Sequence, residues 1–355
     1  MKVALDTNHR YILEGGVSRY IDNLEKALLV EGGEDLQLEE IAWKVTNFEY
    51  AQPKRALKTL YREYLWGKFI APGEVRSKNC DLIHYLDFPF LASPGIPQVM
   101  SLHDLGYLRT PDRFRFWTRV RAKGRLASCH KMDKVLTISQ FTADEAMNLL
   151  GVNASKIEIV HLGGGLADPD AMIEAEKPDF EVPDEFLLYV GHLDPNKNIA
   201  LMKGIYEMAR EKGIHLPPLL ISGKRWEGVG DEGDHPPEWR YLGRQPDGVV
   251  RWLYEHARVY LFTSRYEGFG LTVIESMNFG CPIVCSPNGS IPEVGGEAAC
   301  YAEATPEAYL EQIQRLLKDD SYRDEMIAKG REQGKKFTWR RCAKETMEAY
   351  KSVLK

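Results

Sequence analysis

Short apolar runs alternate along the chain with longer stretches in which apolar residues recur at helical spacing. The run "KVALD" predicts a first buried strand, because a short apolar run between polar neighbours fits a strand covered on both faces. A polar loop, "TNHRYILEGGVS", follows it, and then a helix, "RYIDNLEKALLVEG". Further strands are predicted at "DLIHYL", "PQVMSLHD", "KVLTIS" and "KIEIVHLG". Between the last two, "QFTADEAMNLLG" predicts a helix ending at Gly151, a C-cap position. This alternation implies an open parallel sheet with helices on both faces.

A second alternating series runs through "FLLYVG", "NIALMKGIYEMAREKG", "PLLISG", "GVVRWLYEHA", "RVYLFTS", "LTVIESMNFG" and "PIVCS". Ahead of it, "GGGLADPDAMIEAEKPDFEVPD" is rich in Gly, Pro and acids and has no sustained period, the pattern of a linker. The expected division is a first domain at 1–165, a linker at 166–184 and a second domain at 185–336. A terminal helix at 337–355 is expected to cross back to the first domain. Two doubly wound domains facing each other would form a cleft at the carboxyl ends of their strands, where such sheets bind ligands.

At 355 residues, the length suits two domains of ordinary size. With 44% hydrophobic and 28% charged residues, the composition is that of a soluble globular protein. No apolar run approaches the roughly 20 residues needed to cross a bilayer. The opening "MKVALDTNHRY" is not patterned as a signal peptide. Cys80, Cys129, Cys281, Cys285, Cys300 and Cys342 form no CxxC pair, and they read as reduced, mostly buried thiols of a cytoplasmic protein. The net charge of −6 conceals an asymmetry: Pro53 to Lys134 holds 16 Lys and Arg against 7 Asp and Glu, while the remainder holds 30 against 45. That basic region is either a solvated face or a surface for an anionic partner such as lipid headgroups, a phosphate-bearing acceptor or nucleic acid.

The stretch "YEGFGLTVIESMNFGCPIVCS", residues 266–286, sets Glu267 and Glu275 eight positions apart around a Gly-Phe-Gly turn. The strand "RVYLFTS" leads into it, and the following helix is predicted to stop at Gly280, before Pro282. The first N–H groups of a helix have no partner within it and lie at its partly positive end. Gly268 and Gly270 would let an anion approach that backbone, so a diphosphate is the natural ligand. Glu275, five residues along at about 1.5 Å each, would lie about 7 to 8 Å from the anion, a distance suited to a ribose. Glu267, on the loop, would face whatever the distal phosphate carries. Taken alone, "GFG" is more often a plain turn capping a core helix.

The wider pattern decides between these meanings. "SRYEGFGLTVIESMNFGCPIVCSPNGSIPEVGG", "LLYVGHLDPNKNI" and "YLGRQPDGVVRWLYEHARVYLFTS" lie in the second half, and "EGGVSRY", "SLHDL" and "TISQFTADE" in the first. Over almost the whole chain, and in order, these segments resemble the retaining GT-B glycosyltransferases with the E-x7-E motif (glycosyltransferase family 4, group 1 type). The motifs are closest to those of bacterial polysaccharide mannosyltransferases. The resemblance implies a GT-B fold, α/β, with two doubly wound Rossmann-like domains.

It also implies residue roles. Glu275 would bind the ribose of a nucleotide sugar, and Glu267 the hydroxyls of the transferred sugar. Gly268, Phe269, Gly270 and Leu271 would offer backbone N–H groups, and Lys197 would neutralise the diphosphate. Gly15 and Gly16 would let the first-domain loop approach the donor, and Gly191, His192 and Arg244 would join the donor side. His103 would line the reaction centre beside Glu267 and Lys197. Asp104 and Ser139 would lie on the acceptor side, with Asp104 orienting the histidine or holding its loop. Many members carry arginine where this chain has His192 or Asn196, so the second cation of the phosphate clamp falls to His192, Arg265 or Arg244. Thr272 stands where proline is common.

The implied reaction retains the anomeric configuration and requires no metal, cofactor or protein nucleophile. The donor is a GDP- or UDP-sugar used as substrate, GDP-mannose being favoured by the "SLHDLGYL", "GHLDPNKN" and "SGKRW" variants. The acceptor would be a glycan or polyprenyl-linked glycan of a cell-surface polysaccharide or lipopolysaccharide, with nucleic acid not expected as a partner. The segment "DRFRFWTRVRAKGRLASCHKMDK" combines Phe114, Phe116 and Trp117 with Arg115, Arg119 and Lys123. As a helix it would lie on an anionic membrane, making the protein peripheral on the inner face, or it would pack its aromatics inward. Two other functions compete: a nucleotide-sugar epimerase of related fold, and a non-catalytic subunit of a polysaccharide-assembly complex. The E-x7-E segment with its EGFGL and Lys197 argues against the first, and the intact set His103, Lys197, Glu267 and Glu275 argues against the second.

Overall fold

The computed structural model describes residues 1–12, 15–45, 55–89, 92–111, 124–168, 173–223 and 235–355. The chain divides into two compact units: Met1–Leu162 with Trp339–Lys355, and Gly163–Thr338.

The first unit is built on strands β1 (Lys2–Asp6), β2 (Gln37–Ile41), β3 (Leu82–Tyr85), β4 (Gln98–Leu102), β5 (Lys134–Thr137) and β6 (Ile157–Ile159). They pair in parallel in the order β2-β1-β3-β4-β5-β6, so the order reverses between β1 and β3. The inner strands are almost fully buried because helices cover both sheet faces. The helix Gly16–Gly32 packs against the helix Trp339–Val353. A buried polar chain ties that last helix to the sheet: Tyr350 Oη meets His84 Nδ1 at 2.7 Å, and His84 Nε2 meets Ser101 Oγ at 2.8 Å.

The second unit contains β7 (Leu187–Val190), β8 (Leu219–Ser222), β9 (Trp239–Gly243), β10 (Val259–Phe262), β11 (Ile283–Cys285) and β12 (Cys300–Tyr301). Their parallel order is β12-β11-β10-β7-β8-β9, which reverses between β7 and β10. One core cluster joins Leu187, Tyr206, Leu219 and Leu261 to Tyr309 and Ile313. All six cysteines are free and buried, and burial pushes the Cys129 thiol up to about 12. Among the described residues, no helix is long and apolar enough to cross a membrane.

Three features depart from the sequence pattern. The segment expected as a linker belongs to the second unit. Leu166 N–H donates to Glu275 Oε1 at 3.0 Å, Glu176 N–H donates to Gly248 O at 3.0 Å, and the Arg251 guanidinium donates to Ile173 O. Packing without regular structure leaves no period in the sequence. The strands β2, β9 and β12 were not predicted. Each is a sheet edge, and β2 and β9 carry mixed, half-exposed residues. A helical segment from Arg55 to Ser77 was also not predicted, and its central part, Tyr61–Ile70, is a π-helix.

Candidate functional site

Three turns of the second unit converge at the carboxyl ends of β7 and β10. These two strands flank the point where the sheet order reverses, the place where open α/β sheets leave a crevice. After β7 the chain passes Gly191 (φ +143°) and the exposed His192, then forms the turn Pro195–Lys197. Asp194 caps that turn by accepting from Asn196 N–H at 2.8 Å. The segment after β10 grips the same turn: Thr263 Oγ1 donates to Lys197 O at 2.6 Å, and Arg265 N–H to Asn196 O at 2.8 Å. Asn196 Nδ2 in turn donates to Tyr266 O at 2.6 Å. The result places Lys197 Nζ 2.5 Å from Glu267 Oε1, with the two side chains 20% and 18% exposed.

The third turn, Asn288–Ser290, supports the Gly-Phe-Gly loop from behind. Ser290 N–H donates to Glu267 O at 3.2 Å, and the Ser290 hydroxyl is 2.9 Å from Phe269 O. Gly289 has φ +61°, and a Cβ there would stand 2.6 Å from Glu267 O, so glycine is required. Gly270, at φ +101°, is the N-cap of the helix Leu271–Asn278. Gly268 and Phe269 are buried, and the Phe269 ring meets Phe337 edge-on at 5.6 Å. Phe269 therefore anchors the loop in the core, leaving its backbone as the part able to serve a ligand. Leu271 is the first, half-buried residue of the helix.

Glu275 has a different partner from the one expected. It is 1% exposed, and its Oε1 accepts the Leu166 N–H. Gly165 adopts φ +61° directly over it, and a Cβ there would come within 2.3 Å of Oε1. The carboxylate thus holds the Gly165–Leu166 segment in place. The alternatives for a second cation are also placed. Arg265 Nη2 donates to Asn198 Oδ1 at 2.9 Å, and Arg244 follows the edge strand β9, two strands from β7.

The first unit repeats the theme at its own reversal point, between β1 and β3. Buried Asp6 accepts from Asn8 N–H at 3.1 Å and from Asn8 Nδ2 at 2.6 Å. His9 Nε2 lies 3.3 Å from Asp87 Oδ2, and burial pushes His9 down to about 4 against the opposing pull of Asp87. Gly15 (φ +127°) is the N-cap of the helix Gly16–Gly32, and a Cβ on exposed Gly16 would meet nothing within 4 Å. His103 follows β4, donates from Nε2 to Leu86 O at 2.9 Å, and sits edge-on to Tyr20 at 4.7 Å. Because a carbonyl only accepts, the neutral ring offers Nδ1 as an acceptor.

Asp104 is exposed and accepts from Gly106 N–H at 2.8 Å, which holds the loop entering the helix Gly106–Arg109. Ser139, expected on the acceptor side, is instead fully buried. Its hydroxyl caps the helix Gln140–Leu150 by accepting from Thr142 N–H at 3.0 Å, so capping takes up the group. Arg115, Trp117, Arg119 and Lys123 lie outside the described residues. Sequence reading missed Asp194, Thr263, Ser290 and the His9–Asp87 pair. Asp194 alone left a signal, as an acidic residue opening the "DPNKN" turn.

The "Glycosyl transferases group 1" family model matches residues 172–333, and the "Glycosyltransferase Family 4" model matches residues 14–163. The chain is 31% identical over 272 residues to the O-antigen chain mannosyltransferase B of Escherichia coli, covering 71% of this chain and 70% of that protein. It is 24% identical over 274 residues to the serotype-specific mannosyltransferase WbdA of Escherichia coli, covering 72% of this chain and about a third (33%) of that protein. Among solved structures, WaaG, a glycosyltransferase involved in lipopolysaccharide biosynthesis, superposes with a TM-score of 0.70 at 13% identity, covering 98% of each chain. The two parallel sheets are those of the GT-B architecture. Built on that fold and matched along both halves, the chain belongs to the group 1 glycosyltransferases of family 4.

Proposed function

We propose that the protein is a retaining, metal-independent hexosyltransferase that moves mannose from GDP-mannose to a glycan or lipid-linked glycan during synthesis of a cell-surface polysaccharide. The observation that carries this reading is the Lys197–Glu267 pair, set at the β7–β10 crevice beside the start of the helix Leu271–Asn278. A nucleoside diphosphate needs fixed positive charge, and a sugar needs an acceptor beside it. Lys197 and the helix N–H groups supply the first, and Glu267 the second.

In the reaction, the bond between the anomeric carbon and the diphosphate oxygen breaks with its electron pair leaving on the diphosphate, while an acceptor hydroxyl oxygen bonds to the anomeric carbon and its proton passes to the departing diphosphate. Lys197 and the helix start stabilise that charge where it develops, as preorganised electrostatics require. His103 is assigned to the transferred sugar, with Nδ1 as its acceptor atom. Glu275 binds the ribose while keeping its hold on Leu166. The acceptor is taken at the inner face of the membrane. Mannose is favoured over other hexoses by the O-antigen mannosyltransferase relatives.

Titration of the purified protein with GDP-mannose, GDP and UDP-glucose, followed by transfer assays with NMR of the product anomer, tests the proposal. The expected result is preferential binding of GDP-mannose and a retained configuration. An inverted product, or conversion of the donor hexose without any acceptor, would overturn it.

A further inference from the structure

The segment from Arg55 to Ser77 is amphipathic in the wrong sense for a protein surrounded only by water. Leu60, Tyr61, Tyr64, Leu65, Phe69 and Ile70 are 53%, 38%, 50%, 53%, 72% and 49% exposed, and Leu57, one turn earlier, is 68% exposed. The opposite side buries Trp66, Gly67 and Ala71 together with the charged Arg62, which is 4% exposed and lies 3.3 Å from Glu63. The π-helical register produces this division. Ala71 N–H bonds to Trp66 O, an i→i+5 spacing with about four to five residues per turn, so Leu60, Tyr64 with Leu65, and Phe69 with Ile70 fall in line. These seven are most of the large exposed hydrophobic residues among the described positions, and they are gathered on one element. A contiguous apolar surface of this kind marks an interaction site.

We propose that this face docks on an anionic lipid bilayer. Charge complementarity selects the occupant. From Arg55 to Lys78 the sequence has six Lys and Arg against two Glu, within the stretch that carries +9 on a chain of net −6. Lys68 lies among the apolar residues, with Nζ 4.9 Å from the Tyr64 ring centroid, and Lys58 falls between Leu57 and Leu60 in the sequence. Basic ammonium groups and tyrosines bordering exposed Leu, Phe and Ile match the headgroup–acyl boundary, where chains insert and cations meet anionic phosphate. A second copy of the chain would bring two positive faces together. Outside the basic stretch the chain is acidic, with 30 Lys and Arg against 45 Asp and Glu, and would be repelled by an anionic surface, so this helix lies in the part of the chain whose charge suits one. The proposal rests on the reading above only for the lipid-linked acceptor, and none of the proposed donor residues belongs to this segment.

The test is co-sedimentation of the full-length protein with vesicles of phosphatidylcholine alone or mixed with phosphatidylglycerol, at low and high salt and without donor or acceptor. The expected result is binding to the mixed vesicles that weakens with salt. Leu65→Gln with Phe69→Gln should lower the lipid partition coefficient about tenfold or more, with melting temperature and GDP-mannose affinity unchanged. If that variant fails to fold, Lys58→Gln with Lys68→Gln decides, and it should lose the binding that depends on phosphatidylglycerol. Wild-type protein that stays in the supernatant with mixed vesicles would overturn the proposal. So would a double variant that sediments like the wild type, or one that splits a dimer while leaving lipid binding intact. Donor affinity measured on the same samples separates this outcome from failure of the transferase reading.

Discussion

The ammonium of Lys197 lies 2.5 Å from Oε1 of Glu267, although the two residues are seventy positions apart in the chain. Each follows a strand, β7 or β10, and those strands are neighbours. The pair is therefore set by sheet order, and each side chain holds the other in place. Lys197→Ala should lower kcat by about 10²- to 10³-fold, the cost of losing one preorganised charge at the departing group. Glu267→Gln should lower kcat with little change in donor Kd. Steady-state kinetics and donor titration check both; a donor Kd raised equally by the two changes would contradict the division of roles.

Glu275 supports the protein as well as the proposed ribose contact. Glu275→Ala should cost about 1 to 3 kcal/mol of stability, because the buried Leu166 N–H loses its acceptor, and should weaken donor binding. Glu275→Gln keeps a carbonyl oxygen for Leu166 and should restore most of the melting temperature while donor affinity stays low. Full donor affinity in the glutamine variant would confine Glu275 to a structural role.

The turn behind the loop gives a backbone test. Gly289→Ala puts a Cβ 2.6 Å from Glu267 O at a residue with φ +61°. The left-handed conformation alone costs an L-residue about 1 to 2 kcal/mol, and relief of the clash must displace Glu267. Transfer activity should therefore fall further than thermal stability, as measured by kcat/KM and melting temperature. Activity that follows stability alone would leave Gly289 as a folding residue only.

Acid should destabilise the first unit. Burial pushes His84 down to about 3 and His9 down to about 4, from an ordinary value of 6.5. The unfolded chain takes up both protons near pH 6.5 while the folded chain does not, so stability is full above 6.5 and declines as pH falls toward 4 and 3. Buried Asp6, pushed up to about 6 from 3.8, acts in the opposite direction between those values. Two imidazoles against one carboxyl leave a net loss. Denaturant melts across pH 7 to 5 should show it, with a smaller slope in His84→Gln; equal slopes would remove His84 from the account.

Chelation should leave transfer essentially intact. Lys197 and the helix Leu271–Asn278 are assigned the charge work, so activity in EDTA should match untreated protein. Loss of activity that magnesium or manganese restores would refute the metal-independent reading.

Local patterning was sufficient for β1, β3, β4, β5, β7, β8, β10 and β11, because a strand covered on both faces must be apolar along its length. The spacing of Glu267 and Glu275 around the Gly-Phe-Gly turn, and the helix that begins there, were equally legible, since loop glycines and helix starts are short-range features. The edge strands β2, β9 and β12 were not, because an edge lacks a neighbour on one side and its sequence need not be apolar throughout. Nor did the pattern show that Ser139 spends its hydroxyl on a cap, that Glu275 turns inward to Leu166, or that Leu60, Tyr64 and Phe69 face outward while Arg62 is buried. Which face of a helix is buried, and which distant loop meets a carboxylate, depend on the neighbours the fold supplies. Periodicity records only that faces exist; the order β10-β7 and the turns at its carboxyl end decide what each one meets.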